Sequence, residues 1–443
     1  MSRTSLAVVI VVGFALFGGL DELRSDDKGV SPGNLKWYKG NTHAHSLWSD
    51  GNDFPEMIID WYKRNGYHFA VVSDHNILSN VQRWIPVARA IGRAGGEDVM
   101  TKYVDRFGED WVEVENRKDP RSGKTLEQVR LKTLDEIRGK LREPGKFIIP
   151  QAEEITGSFY RRAVHVNAIN LKKLIFPQLG GSLRDSIRKT LQAVQAHEKE
   201  TGEPVMTHLN HPNFRWGVTA EDLAHVLEER FFEVYNGHPS VGHLGDAQHA
   251  SVERLWDIAN TLRIAELKAP PLLGVATDDS HTYHGRKNVS PGRGWVMVRA
   301  TELHPAALIN AMRAGEFYAS SGVTLQDVTY DSKQKVLEIR IAPEKGATYT
   351  TEFIGTLKDA DLKSEPVTNN AGKEIVATRK YSADVGRVLA TQKGTTVRYQ
   401  LTGDELYVRA TITSSIPHPN PSIKDQAKQA WTQPVGWQGN IGK

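Results

Sequence analysis

Short apolar runs that end in a histidine or an acidic residue recur between residues 36 and 281 of the chain. Residues 69–73 form one such run and lead into Asp74-His75, and residues 272–277 form another and lead into Asp278-Asp279. Helix-like segments separate the runs, and this alternation predicts a parallel β/α architecture. Because the carboxyl ends of parallel strands meet at one edge, we expect the polar motifs to lie close together.

Apolar runs and helix-end signals define the predicted elements. The predicted strands are residues 36–45, 69–73, 147–149, 163–169, 204–211, 231–235, 272–277 and 295–298. The predicted helices are residues 182–200, 219–229, 248–262 and 305–314, with an earlier one that starts at a capping box of Asp53 and Glu56 and ends at Asn65-Gly66.

The first polar motif combines imidazoles with a carboxylate. His43 and His45 are two residues apart, so on a strand both rings point to the same face. Asp50 follows in the turn-type sequence Ser49-Asp50-Gly51. Imidazoles and carboxylates without thiols suit zinc, manganese or iron in a hydrolytic site. One such histidine pair is unremarkable among 16 histidines in 443 residues, so the interpretation depends on the motifs further along the chain.

Those further motifs follow one another in a recognisable order. They are Asp74-His75, Glu153-Glu154-Ile155-Thr156, His165, His211-Pro212 and Asp279-Ser280-His281. With His43 and His45, this series resembles the PHP (polymerase and histidinol phosphatase) superfamily over residues 36–324, and within it the exported CehA/McbA-type metallohydrolases. The resemblance implies an α/β fold: a distorted (β/α)7 barrel of the PHP type, here followed by a small C-terminal antiparallel β-sandwich.

The resemblance also implies a set of metal ligands and two or three divalent ions of zinc, manganese or iron. The implied ligands are His43, His45, Asp50, His75, Glu154, His165, His211, Asp279 and His281. One ion would sit with His43, His45 and Asp279, a second with His165 and His211, bridged through Glu154, and a third with Asp50, His75 and His281. A hydroxide bridged by such a di- or trinuclear cluster forms near neutral pH, because the cations depress the pKa of bound water.

Two of the motifs contain a pair of adjacent acidic residues, and in each pair we expect only one residue to bind metal. Asp279 and His281 are two apart and share a face of an extended chain, which favours Asp279 over Asp278. Neither Glu153 nor Glu154 has a second ligand two residues away that would fix which of them faces the metals. The choice of Glu154 rests on the resemblance, because the family motif is Glu-Ile-Ser/Thr and Glu154-Ile155-Thr156 matches it.

Three further residues are candidates for catalysis. His284 and His238 could act as general acids for a leaving group, and Arg293 could fork onto a phosphate or carboxylate. Each has an ordinary alternative, because loop histidines and arginines are often only solvated or packed.

Composition excludes several other classes of function. The net charge is +3 and no dense run of Lys or Arg occurs, so electrostatics does not imply a nucleic-acid partner. The absence of cysteine excludes disulfides, thiolate ligands and a cysteine nucleophile.

The chain divides into three predicted regions. Residues 1–22 contain an apolar run of the size of a signal-peptide core, and an uncleaved N-terminal anchor is the alternative. Residues 34–324 form the metallohydrolase domain, with a charged insertion at about residues 92–146 that is helical around residues 125–142. Residues 325–443 alternate apolar and polar positions and predict the β-sandwich and an irregular tail. We therefore expect an exported protein, periplasmic or extracellular, that touches a membrane only if the anchor is kept.

Three functions fit these observations. The first is metal-dependent hydrolysis of phosphoesters, and the second is hydrolysis of a non-phosphate ester, amide or carbamate by the same chemistry. The third is a non-catalytic surface binding protein with structural metals, which a set of nine ligands disfavours because structural sites are usually mononuclear. The basic residues beside the motifs favour an anionic small-molecule substrate.

Overall fold

The computed structural model describes residues 35–120, 122–284 and 288–442. The predicted signal peptide or anchor, residues 1–22, lies outside the described residues. Within the described ranges, no helix combines the length and the apolar character needed to cross a membrane.

Eight helices and 21 strands are described, with two short 3₁₀ turns at Phe214–Trp216 and Gln438–Asn440. The helices are α1 Pro55–Arg64, α2 Val87–Arg93, α3 Val99–Phe107, α4 Leu134–Leu141, α5 Leu183–Thr201, α6 Ala220–His225, α7 Val252–Ala265 and α8 Pro305–Arg313. The strands up to residue 324 are β1 Lys36–Asn41, β2 Phe69–Ala70, β3 Arg83–Pro86, β4 Val114–Lys118, β5 Thr125–Leu131, β6 Ala152–Phe159, β7 Arg162–Ile169, β8 Met206–Leu209, β9 Phe231–Asn236, β10 Leu273–Thr277, β11 Trp295–Ala300 and β12 Phe317–Ser320. The later strands are β13 Leu325–Asp331, β14 Val336–Ile341, β15 Tyr349–Leu357, β16 Ser364–Glu365, β17 Lys380–Tyr381, β18 Arg387–Lys393, β19 Thr396–Gln400, β20 Glu405–Pro417 and β21 Ala427–Trp431.

Two mixed sheets carry the site. One has the order β10-β9-β8-β7-β6, and the other has the order β18-β15-β20-β21-β12-β11-β1-β2. The pairs β8/β9, β9/β10 and β1/β2 are parallel, whereas the remaining neighbours in both sheets are antiparallel. The mixed α/β class is therefore confirmed, but the architecture is less parallel than predicted.

No closed seven-stranded ladder forms among the described residues, and only isolated bridges such as Ala44 with Ser280 and His75 with Glu154 connect the motif-bearing segments. The strands end early: β1 stops at Asn41 and β2 has two residues, where residues 36–45 and 69–73 were predicted. Antiparallel pairing enters at the β6–β7 hairpin, because a two-residue turn can join only antiparallel strands.

The predicted helix signals have mixed outcomes. Ser182 caps α5 by accepting from the Asp185 N–H, and Gly202 follows in a left-handed conformation, as predicted. The capping box predicted for α1 is wrong, since Phe54 is the N-cap residue. Glu56 instead accepts hydrogen bonds from Tyr103 and Trp111, which belong to the insertion, so tertiary contacts decide its role.

The insertion contains a three-stranded sheet of order β3-β5-β4. Residues 125–142 were predicted to be partly helical, and the first part of that segment, residues 125–131, forms β5. Val129 and Leu131 are buried two apart on one face of that strand, in the same core as Ile85. A helix begins only after Thr133, which forms a capping box with Glu136.

The strands after residue 324 pack against the preceding part of the chain. β21 pairs with β12, so β15, β18, β20 and β21 extend the same sheet that contains β1 and β11, whereas β13, β14 and β19 form a separate three-stranded sheet. Trp431 at the end of β21 is fully buried, and its ring stacks on that of Tyr235 in β9 at 5.7 Å. It belongs to the core cluster of Val234 and Trp256.

Because Trp431 joins β21 to that core, we expect Trp431→Ala to lower the free energy of unfolding by about 3–5 kcal/mol through the cavity it leaves. Tyr160 is 88% exposed, and Tyr160→Ala should change the free energy of unfolding by no more than about 0.5 kcal/mol. Urea unfolding followed by circular dichroism measures both. Equal midpoints for the two variants would contradict this account of how the C-terminal strands are held.

Candidate metal centre

All nine predicted ligands come together in one cluster. Their side-chain nitrogen and oxygen atoms form overlapping groups, and within each group the atoms lie no more than 4.8 Å from one another. The groups are His45, Asp50, His75 and His281; His43, His211 and Asp279; His43, His45 and Glu154; and His75, Glu154 and His165. The structure thus places His211 with His43 and Asp279, and His165 with His75 and Glu154.

Two backbone segments form the base of the cluster. The N–H of His45 donates to the Ser280 carbonyl at 2.9 Å, and the N–H of Asp279 donates to the His43 carbonyl at 3.0 Å. Ala44 and Ser280 form a bridge between the same segments. The two motifs therefore lie side by side, and Asp279 Oδ1 is 3.2 Å from the Nε2 atoms of both His43 and His45.

Glu154 occupies the middle of the cluster. Its Oε1 lies 3.0 Å from His165 Nδ1 and 3.4 Å from His211 Nε2. Its Oε2 lies 2.7 Å from His75 Nδ1 and 3.4 Å from His45 Nε2. One carboxylate therefore contacts at least one histidine of each of the four groups.

Asp50 marks the side of the cluster that opens to solvent. Its carboxylate lies 3.3 Å from His75 Nε2 and 3.4 Å from His281 Nε2, and it is exposed. His43, His45 and Glu154, by contrast, are fully buried. Asp50 is therefore the predicted ligand most open to solvent.

The loop that carries Asp50 is fixed by charged side chains. Asp74 accepts hydrogen bonds from the backbone N–H groups of Ser46 and Ser49. Arg93, from the insertion, donates to the carbonyls of Ser49 and Gly51. The insertion thus helps to set the position of a predicted ligand.

The cluster satisfies the chemical requirements for divalent cations. His43 donates through Nδ1 to Glu233, so its neutral ring carries a lone pair on Nε2, which faces His45 Nε2 at 3.0 Å. The buried atoms Glu154 Oε2 and Asp279 Oδ1 have no hydrogen-bond partner among the described residues. Ligand atoms around an ion at about 2.1 Å stand roughly 3–3.5 Å apart, which is the spacing seen here.

The charges in the cluster keep its carboxylates ionised. Burial works to raise the pKa of Glu154, but the neighbouring His165 and His43 outweigh it and hold the pKa well below the ordinary value. Burial likewise opposes the charge of His43, but Asp279, Glu233 and Glu154 raise its pKa well above the usual range, so a cation that binds there must displace a proton from Nε2. Ionised carboxylates are the form that metal binding requires.

The doubled acids separate as predicted. Asp279 and Glu154 face the cluster, whereas Asp278 accepts from the N–H groups of Gly292, Arg293 and Gly294, and Glu153 accepts from the Ile175 N–H. The reason given for Asp279 is wrong, because its φ of 47° is left-handed and not extended. His211 also has positive φ, at 25°. Strained backbone of this kind concentrates at functional sites.

Glu233 is a residue that sequence reasoning missed. It is buried in β9 and accepts from His43 Nδ1 at 2.7 Å, from the His211 N–H at 2.7 Å and from Thr277 Oγ1 at 2.7 Å. It therefore orients two predicted ligands at once. The available signal was an acid in the middle of the otherwise apolar run of residues 231–235, since a buried charge needs partners.

The three predicted catalytic residues lie in different environments. His284 pairs with Asp53 at 2.9 Å, and Arg293 donates to the carbonyls of Gly237, Asn288 and Asn420. These contacts indicate that His284 and Arg293 hold loops in position. His238 alone adjoins the cluster, with its ring 5.5 Å from that of His281. Burial lowers the pKa of His238 to about 4.

No protein-family model matches the sequence, and no curated protein matches it either. Two solved structures are similar to the chain. One, from Bacteroides vulgatus ATCC 8482, is a two-domain protein containing a predicted PHP-like metal-dependent phosphoesterase; it is 15% identical with a TM-score of 0.39, over 90% of this chain and 96% of that one. The other is described as a proposed metal-dependent phosphoesterase from Bifidobacterium adolescentis ATCC 15703. It is 12% identical with a TM-score of 0.29, over 57% of this chain and 91% of that one. At such low identities and TM-scores, the site is best judged from its own contacts.

The doubled acids provide a direct test of the ligand set. Asp279→Asn and Glu154→Gln should remove metal from the purified protein, whereas Glu153→Gln should keep the metal content of the wild type. Asp278→Asn should also keep metal but melt at a lower temperature, because an amide cannot accept all the hydrogen bonds that both Asp278 oxygens accept. Elemental analysis and thermal melts measure these outcomes. Equal metal loss in folded Asp278→Asn and Asp279→Asn would refute the assignment.

Glu233→Gln should weaken metal binding roughly 10–100-fold, because the carboxylate that fixes the His43 ring is lost. Competition with a chromophoric chelator measures the affinity. Glu229→Gln is the matched control, since Glu229 is also a buried glutamate next to β9 but contacts Thr207 and the start of the strand. Unchanged affinity in Glu233→Gln would show that the hydrogen bond to His43 does not position it.

Proposed function

We propose that the chain is a metal-dependent hydrolase of the PHP type, acting on phosphoesters. The observation that carries the proposal is the convergence of nine imidazoles and carboxylates, whose nitrogen and oxygen atoms form overlapping groups within 4.8 Å. The side chains of the cluster would hold two or three ions, for which zinc, manganese and iron are the candidates.

Divalent cations bound there would lower the pKa of water and polarise the electrophile. The chain supplies the positioning: Glu154 contacts histidines of all four groups of ligands, and Glu233 leaves the Nε2 lone pair of His43 free for an ion. The chain contains no cysteine that could act as a nucleophile, which agrees with direct attack by water.

The open side of the cluster favours catalysis over a structural role. Structural sites are closed and usually hold one ion in four ligands, whereas this cluster has more ligands and an exposed member in Asp50. The function of a non-catalytic surface binding protein is therefore disfavoured.

An exposed arginine beside the cluster favours an anionic substrate. Phe214 packs its ring against His211 at 5.1 Å and His165 at 5.9 Å, and Arg215 lies over the same ring at 5.4 Å. Arg215 is exposed and makes no ion pair with a described residue. Its guanidinium can bind a phosphate in two hydrogen bonds. Hydrolysis of a non-phosphate ester, amide or carbamate is the alternative.

His238 is the best placed of the candidate proton donors. Its Nδ1 accepts from the Ser240 N–H, so the proton of the neutral ring is assigned to Nε2. An N–H at that position could hydrogen-bond a leaving-group oxygen beside His281.

We further propose that the protein is exported, on the basis of the apolar run in residues 1–22, and that its partner is a small anionic substrate and not a nucleic acid. Fractionation of cells that express the full chain tests the export.

A substrate panel tests the proposed function. Metal-loaded protein should hydrolyse aryl phosphomonoesters or phosphodiesters faster than aryl carbamates, and His45→Ala should abolish the activity. Arg215→Ala should raise KM for a phosphoester about tenfold with little change in kcat, because the Arg215 guanidinium would bind the phosphate charge equally in the bound substrate and in the transition state. Arg142→Ala removes another exposed arginine and is the control. Faster turnover of the uncharged carbamate, insensitive to Arg215, would favour the alternative.

A further inference from the structure

A cleft of about 360 Å³ lies away from the metal cluster. One wall comes from β11, the end of α8 and β12, and the other from β13, β14 and residues 433–438. Trp37, Tyr330 and Trp437 line it, and Arg230 lies on its floor beside Leu273. Volumes of this size accommodate small organic ligands.

Three arginines line the cleft, but they differ in their partners. Arg299 pairs with Glu316 and Asp327, and Arg313 pairs with Glu198. Arg230 makes no ion pair with a described residue, and its buried Nε has no hydrogen-bond partner. Burial lowers the pKa of Arg230, against the charge of Glu229 and together with that of Arg313. The side chain is half-buried with its Nε enclosed, and an anion in the cleft would supply the missing contact.

The nearest acid does not fill that role. Glu229 uses Oε1 to accept from the N–H groups of Arg230 and Phe231, which directs this oxygen to the backbone at the start of β9. Burial raises the pKa of Glu229 to about 7. Glu229 acts on Arg230 through its charge but makes no hydrogen bond or ion pair with the guanidinium among the described residues.

The other walls of the cleft suit a ring. Trp37, Phe317, Tyr330 and Trp437 place aromatic side chains around it. Aromatic surfaces bury flat organic groups, and arginine pairs with carboxylates and phosphates. The two features together indicate a ligand with one anionic group and one flat ring.

We propose that this cleft binds a small ring-bearing organic anion, a carboxylate or a phosphate, through Arg230 and the aromatic wall. Arg230 precedes β9, whereas His211 and Asp279 of the metal cluster follow the carboxyl ends of β8 and β10. Leu273, which lines the cleft at the start of β10, is six positions before Asp279, at most about 20 Å of extended chain. The cleft is thus a separate binding site, and the inference does not depend on the proposed hydrolase activity.

Titration calorimetry with three anions on the full chain tests the proposal. The probes are phenylphosphonate, benzoate and inorganic phosphate, so that comparison of the first two distinguishes a phosphate-type from a carboxylate ligand. At least one ring-bearing anion should bind, and Arg230→Gln should weaken that binding roughly tenfold or more. Arg142→Gln removes an exposed arginine elsewhere and should change nothing. Thermal melts identify any variant that fails to fold, and Arg230→Lys, which keeps the charge, should retain part of the affinity.

The same titration on Asp279→Asn separates the cleft from the metal cluster. Binding that persists in Asp279→Asn and is lost in Arg230→Gln supports the cleft. Binding that is lost in Asp279→Asn and persists in Arg230→Gln places the anion at the metals and overturns the proposal. Absence of binding of both ring-bearing anions at millimolar concentration also overturns it. Trp437→Leu should weaken the ring-bearing anions more than inorganic phosphate, and equal effects on all three would refute the role of the ring.

Discussion

The hydrogen bonds between the His43–His45 segment and the Asp279–His281 segment are the contact on which the site depends. They join residues more than 230 positions apart and place imidazoles and a carboxylate within 3.2 Å of one another. So many buried charged and polar groups would be unfavourable without compensation. The surrounding acids supply part of this compensation. The buried oxygens Glu154 Oε2 and Asp279 Oδ1, which accept no hydrogen bond from a described residue, have the geometry of a metal site.

The rest of the structure serves to hold this arrangement. Asp74 and Arg93 fix the loop that presents Asp50, and Glu233 fixes His43 from the opposite side. The C-terminal strands contribute through Trp431, which packs on the strand that carries Glu233. A change far from the metals can therefore alter the site through β9. Strands β15, β18, β20 and β21 thus belong to the main sheet, whereas β13, β14 and β19 form a three-stranded sheet of their own.

The two ends of the strands around β9 lie beside two different candidate sites. Their carboxyl ends gather the metal ligands, and the start of β9 lies beside the cleft that contains Arg230. The first end is rich in paired charges, whereas the second has one arginine without a partner and several aromatic rings. Chemistry and ligand binding would thus use opposite ends of the same strands.

The sequence by itself determined the identity of the clustered residues and the ends of α5, because ligand types and helix caps are local features. It also separated Asp279 from Asp278 correctly, although by an argument from extended chain that does not hold at a left-handed residue. Only the tertiary structure decided the antiparallel pairing of β6 and β7, the strand at residues 125–131, and the role of Glu233. These depend on contacts between residues distant in the chain, and burial against such partners overrides local propensity.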